Sequence, residues 1–123
     1  MSDGKTILTI DDDPDVLESL KTILEAHGYS VLTAASAEEG LRAYKDEQPD
    51  MIIVDLMMEE VDAGTNFVKE VKVTGSSVPI FLLSSMGNEL AELTDYSDLG
   101  LNGVLQKPIK PDHLLTLVRS KIG

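Results

Sequence analysis

The sequence predicts an α/β fold in which a five-stranded parallel sheet is covered by helices on both faces. Short apolar segments typical of buried strands alternate along the whole chain with amphipathic segments typical of helices. No linker, repeat or low-complexity segment interrupts this alternation over the 123 residues, a length that suits one domain. Because parallel strands are joined by right-handed crossovers, the helices cover both faces of the sheet. We therefore expect a single doubly wound domain over residues 1–123, with no attached output domain.

The first strand and the first helix have the clearest signals. Lys5–Ile10 is a short apolar run bounded by polar residues, as in a buried parallel strand. Asp13 suits the N-cap of the following helix, and Pro14 suits its first position, where a missing N–H does no harm. Apolar residues then recur at helical spacing until Gly28, which is expected to end the helix.

The later segments keep the same alternation. Ser36 and Glu39 have the spacing of a capping box, which predicts where the second helix begins. The expected segments are, in order, a strand Tyr29–Ala34, a helix from Ser36 to about Asp46, a strand Met51–Val54, a helix Thr65–Val73, a strand Pro79–Leu83, a helix Asn88–Asp95, a strand Val104–Gln106 and a helix beginning at Pro111.

Polar residues follow four of the five expected strands. In open parallel sheets, ligands bind beyond the carboxyl ends of the strands, near the point where the strand order reverses. The residues at those ends are Asp11, Asp12, Asp13, Asp55, Ser84, Ser85 and Lys107. We expect them to converge into one site.

The residue types at these strand ends favour phosphoryl chemistry. Clustered carboxylates repel one another, so either a proton or a hard cation must enter. Acidic side chains, backbone carbonyls and water form the all-oxygen ligand set that Mg²⁺ prefers. With the Lys107 ammonium and the Ser84 hydroxyl, such a cation stabilises a transferring phosphoryl group. Asp55, expected at the middle of the sheet, is the natural nucleophile and would form an aspartyl phosphate.

Composition argues against several other classes. The formal net charge of −12 argues against a nucleic-acid-binding module, which needs a basic face. The chain has no cysteine, which excludes disulfides, thiol catalysis and zinc–thiolate sites. No signal-peptide segment follows Met1, and no apolar run approaches the length of a membrane span. We expect a soluble, cytoplasmic protein that does not insert into a membrane.

Four motifs stand in order at the ends of four strands: "TIDDDP", "MIIVDLMM", "PIFLLSS" and "VLQKP". Together they resemble a response-regulator receiver domain, the phospho-accepting part of two-component systems, here single-domain and chemotaxis-regulator-like. The resemblance covers the whole chain. It implies a flavodoxin-like (βα)5 fold with strand order 2-1-3-4-5. It also implies phosphoryl transfer from a histidine kinase or a histidine phosphotransfer protein, with Mg²⁺ or Mn²⁺ as the cofactor.

The resemblance also implies a role for each matching residue. Asp55 would accept the phosphoryl group. Asp12 would bind the metal directly and Asp11 mostly through water, with the backbone carbonyl of Met57 completing the protein's ligands. Asp13 falls outside this set and remains the expected helix cap.

The resemblance further implies that Ser84 bonds a phosphoryl oxygen, that Lys107 pairs with the phosphate, and that the bond before Pro108 is cis. Output would use the face formed by the fourth expected helix, the fifth strand and the last helix. The output protein and the oligomeric state, a homodimer included, stay open. Val104 is atypical, because the family usually has Tyr or Phe there. It favours one alternative, a degenerate receiver that binds proteins without being phosphorylated.

A second alternative is a phosphatase of the haloacid dehalogenase type. Asp11 and Asp13 match the Asp-x-Asp start of that family. That family needs further acidic ligands after the lysine, however, and only Asp112 lies there. If Asp55 were the nucleophile instead, position 57 should supply the acid–base carboxylate, and that residue is Met57. A phosphorylated aspartate would therefore be a signalling state, and the chain is not expected to be an enzyme.

Overall fold

The computed structural model describes residues 5–55, 63–84, 102–106 and 109–122. Its elements are β1 (Thr6–Ile10), α1 (Pro14–Glu25), β2 (Ser30–Ala34), α2 (Ala37–Glu47), β3 (Met51–Asp55), α3 (Ala63–Val73), β4 (Ile80–Ser84), β5 (Gly103–Gln106) and a C-terminal helix (Pro111–Ile122). The helix expected over 88–95 lies outside the described residues. Strand and helix bounds otherwise agree with the expected ones to within one or two residues.

The five strands form one parallel sheet in the order β2-β1-β3-β4-β5. The predicted fold class and strand order are therefore confirmed. The chain first adds β2 on one side of β1 and then crosses to β3 on the other side. This reversal places the carboxyl ends of β1 and β3 next to each other.

The ends of α1 have the geometry that the sequence predicts. Asp13 is the N-cap, and its Oδ1 accepts the Asp15 N–H at 2.9 Å. At the other end, Gly28 adopts a φ of 92°. The N–H of Tyr29 then donates to the Leu24 carbonyl at 3.2 Å. This bond and the left-handed glycine are typical of a helix that stops at a Schellman motif.

The second helix also begins as predicted but ends differently. Ser36 is its N-cap, and its Oγ accepts the Glu39 N–H at 3.1 Å. The C-cap is Gln48, which has a left-handed φ of 49° and donates its N–H to Tyr44. Glycine usually occupies such a position, because a side chain makes this backbone conformation unfavourable.

Each face of the sheet has its own hydrophobic core. The core beneath α2 and α3 comprises Leu8, Ile10, Ala34, Tyr44, Ile52, Val54, Phe67, Val68, Val71, Ile80 and Leu82. The core beneath α1 and the C-terminal helix comprises Ile7, Leu20, Leu24, Tyr29, Met51, Ile53, Phe81, Leu83, Leu105, Leu114, Leu115 and Val118. Side chains alternate between the two faces along β1 and β3. By that alternation, Asp11 and Asp55 lie on the face of the sheet that α1 and the C-terminal helix cover.

Candidate functional site

Three carboxylates converge at the carboxyl edge of the sheet. In the register between β1 and β3, Ile10 lies opposite Val54, so Asp11 and Asp55 are the next residues on neighbouring strands. One carboxylate oxygen from each of Asp11, Asp12 and Asp55 lies within 4.8 Å of the other two. The structure thus brings together the three acidic residues to which the sequence assigns metal and phosphoacceptor roles.

The three carboxylates differ in their exposure to water. Asp11 is 0% exposed and Asp55 is 3% exposed, whereas Asp12 is an exposed residue. Like charges held this close in a poorly hydrated position are unfavourable without a neutralising partner. The site therefore has a buried inner wall and an open outer side, through which a cation or a phosphoryl group can enter.

Backbone hydrogen bonds hold Asp11 in place. Its N–H donates to the Ala34 carbonyl at 3.1 Å, which extends the β1–β2 pairing by one bond. Its Oδ1 accepts the Asp13 N–H at 2.9 Å. Since Asp13 is itself fixed as the cap of α1, the start of this helix also orients the Asp11 carboxylate.

The donor set fits a magnesium ion. All three side chains offer hard carboxylate oxygens, which Mg²⁺ prefers. Ligands about 2.0–2.1 Å from an octahedral ion lie at most about 4.2 Å apart. One carboxylate oxygen from each of the three residues lies within 4.8 Å of the other two. A small movement of the side chains would bring these oxygens to the spacing that one ion requires. Asp11, Asp12 and Asp55 could therefore share one ion.

The other predicted site residues are only partly described. Ser84 is the last residue of β4 and lies opposite Gln106 of β5. The preceding residue pairs with Asp55, so the Ser84 backbone lies at the same edge as the acidic group. Val104 is half-buried and packs against the core beneath α2 and α3. Met57, Ser85, Lys107 and Pro108 lie outside the described residues.

Two polar residues at the opposite, amino edge of the sheet have a structural role that the sequence pattern does not predict. Asp50 donates its N–H to the Thr6 carbonyl at 2.7 Å, and its Oδ2 accepts the Thr6 N–H at 2.8 Å. Asn102 makes the same pair of bonds to Ile80, at 2.8 and 3.0 Å. Each residue thus acts as a clamp between the starts of two neighbouring strands. A polar residue just ahead of a strand is visible in the sequence, but its partner strand is not.

Among the helices within the described ranges, none combines the length and the apolar character that crossing a bilayer requires.

Comparison with known proteins identifies the family. The family model "Response regulator receiver domain" matches residues 7–119. The chain belongs to this family. Similar solved structures include a receiver domain protein from Clostridium thermocellum, 29% identical, with a TM-score of 0.87 over 96% of this chain and 94% of the other. Vibrio cholerae CheY4, a chemotaxis protein, is 28% identical, with a TM-score of 0.86 over 95% and 98%.

The curated relatives of this receiver domain are longer proteins. The "Probable transcriptional regulator ycf27" of Guillardia theta is 33% identical over 93% of this chain but only 44% of its own length. The regulator PhoP of Bacillus subtilis, named for alkaline phosphatase synthesis, is 30% identical over 95% of this chain and 48% of its own length. The chain therefore spans about half the length of these relatives. As a receiver domain it is a signalling module of two-component systems rather than a conventional enzyme.

Proposed function

We propose that this receiver domain accepts a phosphoryl group on Asp55 in a Mg²⁺- or Mn²⁺-dependent reaction. The donor would be the phosphohistidine of a histidine kinase or of a histidine phosphotransfer protein. The phosphorylated form would then signal by binding its partners differently. The convergence of the Asp11, Asp12 and Asp55 carboxylates in a chain of this family supports the proposal most strongly.

The transfer exchanges one bond to phosphorus for another. A carboxylate oxygen of Asp55 attacks the phosphorus in line with the P–N bond of the phosphohistidine. The P–N bond breaks, the new O–P bond forms an acyl phosphate, and the released imidazole takes up a proton from solvent. When bound by Asp11, Asp12, Asp55 and the Met57 carbonyl, Mg²⁺ supplies positive charge beside the phosphoryl oxygens.

The environment of Asp55 suits this reaction. It ends β3, the middle strand of the sheet, and is almost fully buried, so its carboxylate is largely shielded from water. Polar interactions are stronger in such a poorly hydrated position than in bulk solvent. Asp12 is exposed and stands where the donor would approach.

The remaining roles rest on family resemblance. Ser84 would donate its hydroxyl to a phosphoryl oxygen, and the Lys107 ammonium would pair with the phosphate, ahead of a cis bond to Pro108. Output would follow from docking of a partner protein to the face formed by the fourth expected helix, β5 and the C-terminal helix.

Val104 supports a second candidate, a protein-binding module that is never phosphorylated. It is aliphatic and half-buried against the core, so it has no ring that could turn inward on phosphorylation. The two candidates differ in whether Asp55 gains phosphate.

Intact mass spectrometry tests the proposal directly. The wild type, Asp55→Asn and Asp50→Asn are incubated with acetyl phosphate, with and without Mg²⁺. We expect the wild type and Asp50→Asn to gain one phosphoryl group only when Mg²⁺ is present, and Asp55→Asn to gain none. Asp50→Asn is the matched control, because Asp50 immediately precedes β3, whereas Asp55 is the last residue of that strand.

Beryllofluoride provides a second probe, because it mimics the phosphoryl group without needing a good donor. Chemical-shift changes around Asp55 in ¹H–¹⁵N spectra would report its binding. If neither phosphate nor beryllofluoride binds to the wild type, the phosphorylation proposal is wrong and the binding-module candidate replaces it.

A further inference from the structure

Gly40 occupies the interior of α2, where glycine is unfavourable relative to alanine. Its φ does not lie in the left-handed region, so backbone conformation does not require a glycine. Its surroundings give the reason. An ideal Cβ at this position would lie 2.4 Å from Ile10 Cδ1 and 2.9 Å from Ile10 Cγ1. The bare backbone of α2 therefore contacts Ile10 directly.

This contact lies immediately behind the acidic site. Ile10 is the last residue of β1, is completely buried and is followed directly by Asp11. The Asp11 N–H is bonded to Ala34, so the peptide that joins Ile10 to Asp11 is fixed from the β2 side as well. A displacement of Ile10 by α2 would act on that peptide.

The same contact involves the helix that follows the phosphoacceptor strand in the chain. The ideal Cβ at Gly40 would also lie 3.4 Å from Cε1 of Phe67, a buried residue of α3. Ile10 and Phe67 belong to the same buried core, so a side chain added at Gly40 would meet both β1 and α3. Packed interiors transmit such displacements because they contain few voids.

We propose that Gly40 is a positioning residue for the metal site. Its missing side chain lets α2 approach β1 closely, and this approach sets the position of Ile10 and, through the shared peptide, of Asp11 relative to Asp55. The role rests on the proposed function, since it concerns the carboxylates to which that function assigns Mg²⁺.

The test compares Gly40→Ala with a glycine that is similarly crowded but far from the site. Gly103 on β5 is the matched control, because its Cβ would lie 2.8 Å from Phe81 Cε1. Mg²⁺ affinity is measured by ¹H–¹⁵N NMR titration, and urea unfolding gives the stability of each variant. We expect Gly40→Ala to weaken Mg²⁺ binding about tenfold. Mutating residues that orient a metal ligand without binding the metal typically has an effect of this size. We expect Gly103→Ala to stay within about twofold of the wild type.

Rescue separates positioning from general destabilisation. Ile10→Val removes Cδ1, the atom that the new methyl group would approach most closely. We expect Gly40→Ala with Ile10→Val to return to within about threefold of the wild-type Mg²⁺ affinity. This comparison also holds if Gly40→Ala alone does not fold. A double variant that fails to recover overturns the proposal, as does a Gly40→Ala protein with unchanged affinity.

Hydrogen exchange of the Asp11 amide is the readout that does not need metal. We expect Gly40→Ala to exchange this amide at least about tenfold faster, because its bond to Ala34 is disturbed, whereas Gly103→Ala leaves it unchanged. If the wild type binds no Mg²⁺, the proposed function fails, and the Asp11 exchange rate still decides the role of Gly40. An unchanged rate means that Gly40 does not position Asp11.

Discussion

The two edges of the sheet use acidic residues in opposite ways. At the amino edge, the Asp50 carboxylate accepts a backbone N–H from Thr6 at 2.8 Å and joins β3 to β1. At the carboxyl edge of the same two strands, the Asp11 and Asp55 carboxylates lie close to each other and to that of Asp12. The first arrangement satisfies a negative group with a backbone donor. The second gathers negative groups into a site that suits a cation.

The direction of the chain explains this difference. Every crossover helix in a parallel sheet starts near the carboxyl edge, so helix N-termini, which carry partial positive charge, collect there. The start of α1 illustrates this, since the Asp13 N–H donates to Asp11. An anionic group such as a phosphoryl group is favoured at that edge. The amino edge receives strand starts, whose first N–H groups need acceptors, and Asp50 and Asn102 provide them.

The largest contrast is expected when one carboxylate is neutralised at each edge. We expect Asp12→Asn to weaken Mg²⁺ binding about 100-fold, because Asp12 is the proposed direct ligand and should matter at least as much as the groups that orient a ligand. We expect Asp50→Asn to stay within about twofold. Calorimetric titration with MgCl₂ measures both affinities.

Stability gives a second check on the same variant. Without Mg²⁺, Asp12→Asn should be at least as stable to urea as the wild type, since the repulsion among the three carboxylates is relieved. Equal Mg²⁺ affinities in the two variants would contradict the assignment of the metal site to the carboxyl edge.

Most of this division between the edges could be predicted from the sequence. Four of the five expected strands are followed directly by a polar residue, so the acids at the carboxyl edge could be placed from residue order alone. The sequence pattern predicts the start of α3 two residues late, because Ala63 and Gly64 give no capping signal. The convergence of the acids follows from the general rule for parallel sheets, but individual side-chain contacts between distant segments could not be predicted. The Asp50 and Asn102 clamps and the Gly40–Ile10 contact depend on which elements become neighbours in the fold. The residues around each position in the sequence do not reveal those neighbours.

Removing the acceptor at Asp50 should produce the next largest effect. In Asp50→Ala, the Thr6 N–H loses the Asp50 carboxylate as its acceptor at a partly buried position. Hydrogen bonds to charged groups contribute roughly 1.5–3 kcal/mol, so we expect the free energy of unfolding to fall by about 2 kcal/mol. Urea denaturation measures it. Asp50→Asn keeps an acceptor oxygen and should lose less than half as much. If both variants lose the same amount, charge rather than the hydrogen bond holds this end of β3.

The clamp at Asn102 allows the charged and neutral acceptors to be compared. Asn102 bonds Ile80 with the same geometry as Asp50 bonds Thr6, but its acceptor is an amide oxygen. Neutral hydrogen bonds contribute about 0.5–1.5 kcal/mol, so Asn102→Ala should reduce the free energy of unfolding by about 1 kcal/mol. The same urea experiment, run beside Asp50→Ala, gives the ratio. An Asn102→Ala loss as large as that of Asp50→Ala would show that the position in the sheet, and not the charge, sets the strength of a clamp.

The smallest expected effect concerns Gln48, just ahead of the Asp50 clamp. Its left-handed φ of 49° is unfavourable for a residue with a side chain, and the side chain itself is exposed. Gln48→Gly removes that penalty but adds freedom to the unfolded chain, so we expect a net gain of about 0.5 kcal/mol in the free energy of unfolding. Gln48→Ala keeps the penalty and serves as the control, with no gain expected. In an Asp50→Ala background the gain should shrink, because the end of α2 and the start of β3 are then no longer held in this conformation. An undiminished gain in that background would mean that the clamp and the strained cap are independent, so that the amino edge is held at separate points rather than as one unit.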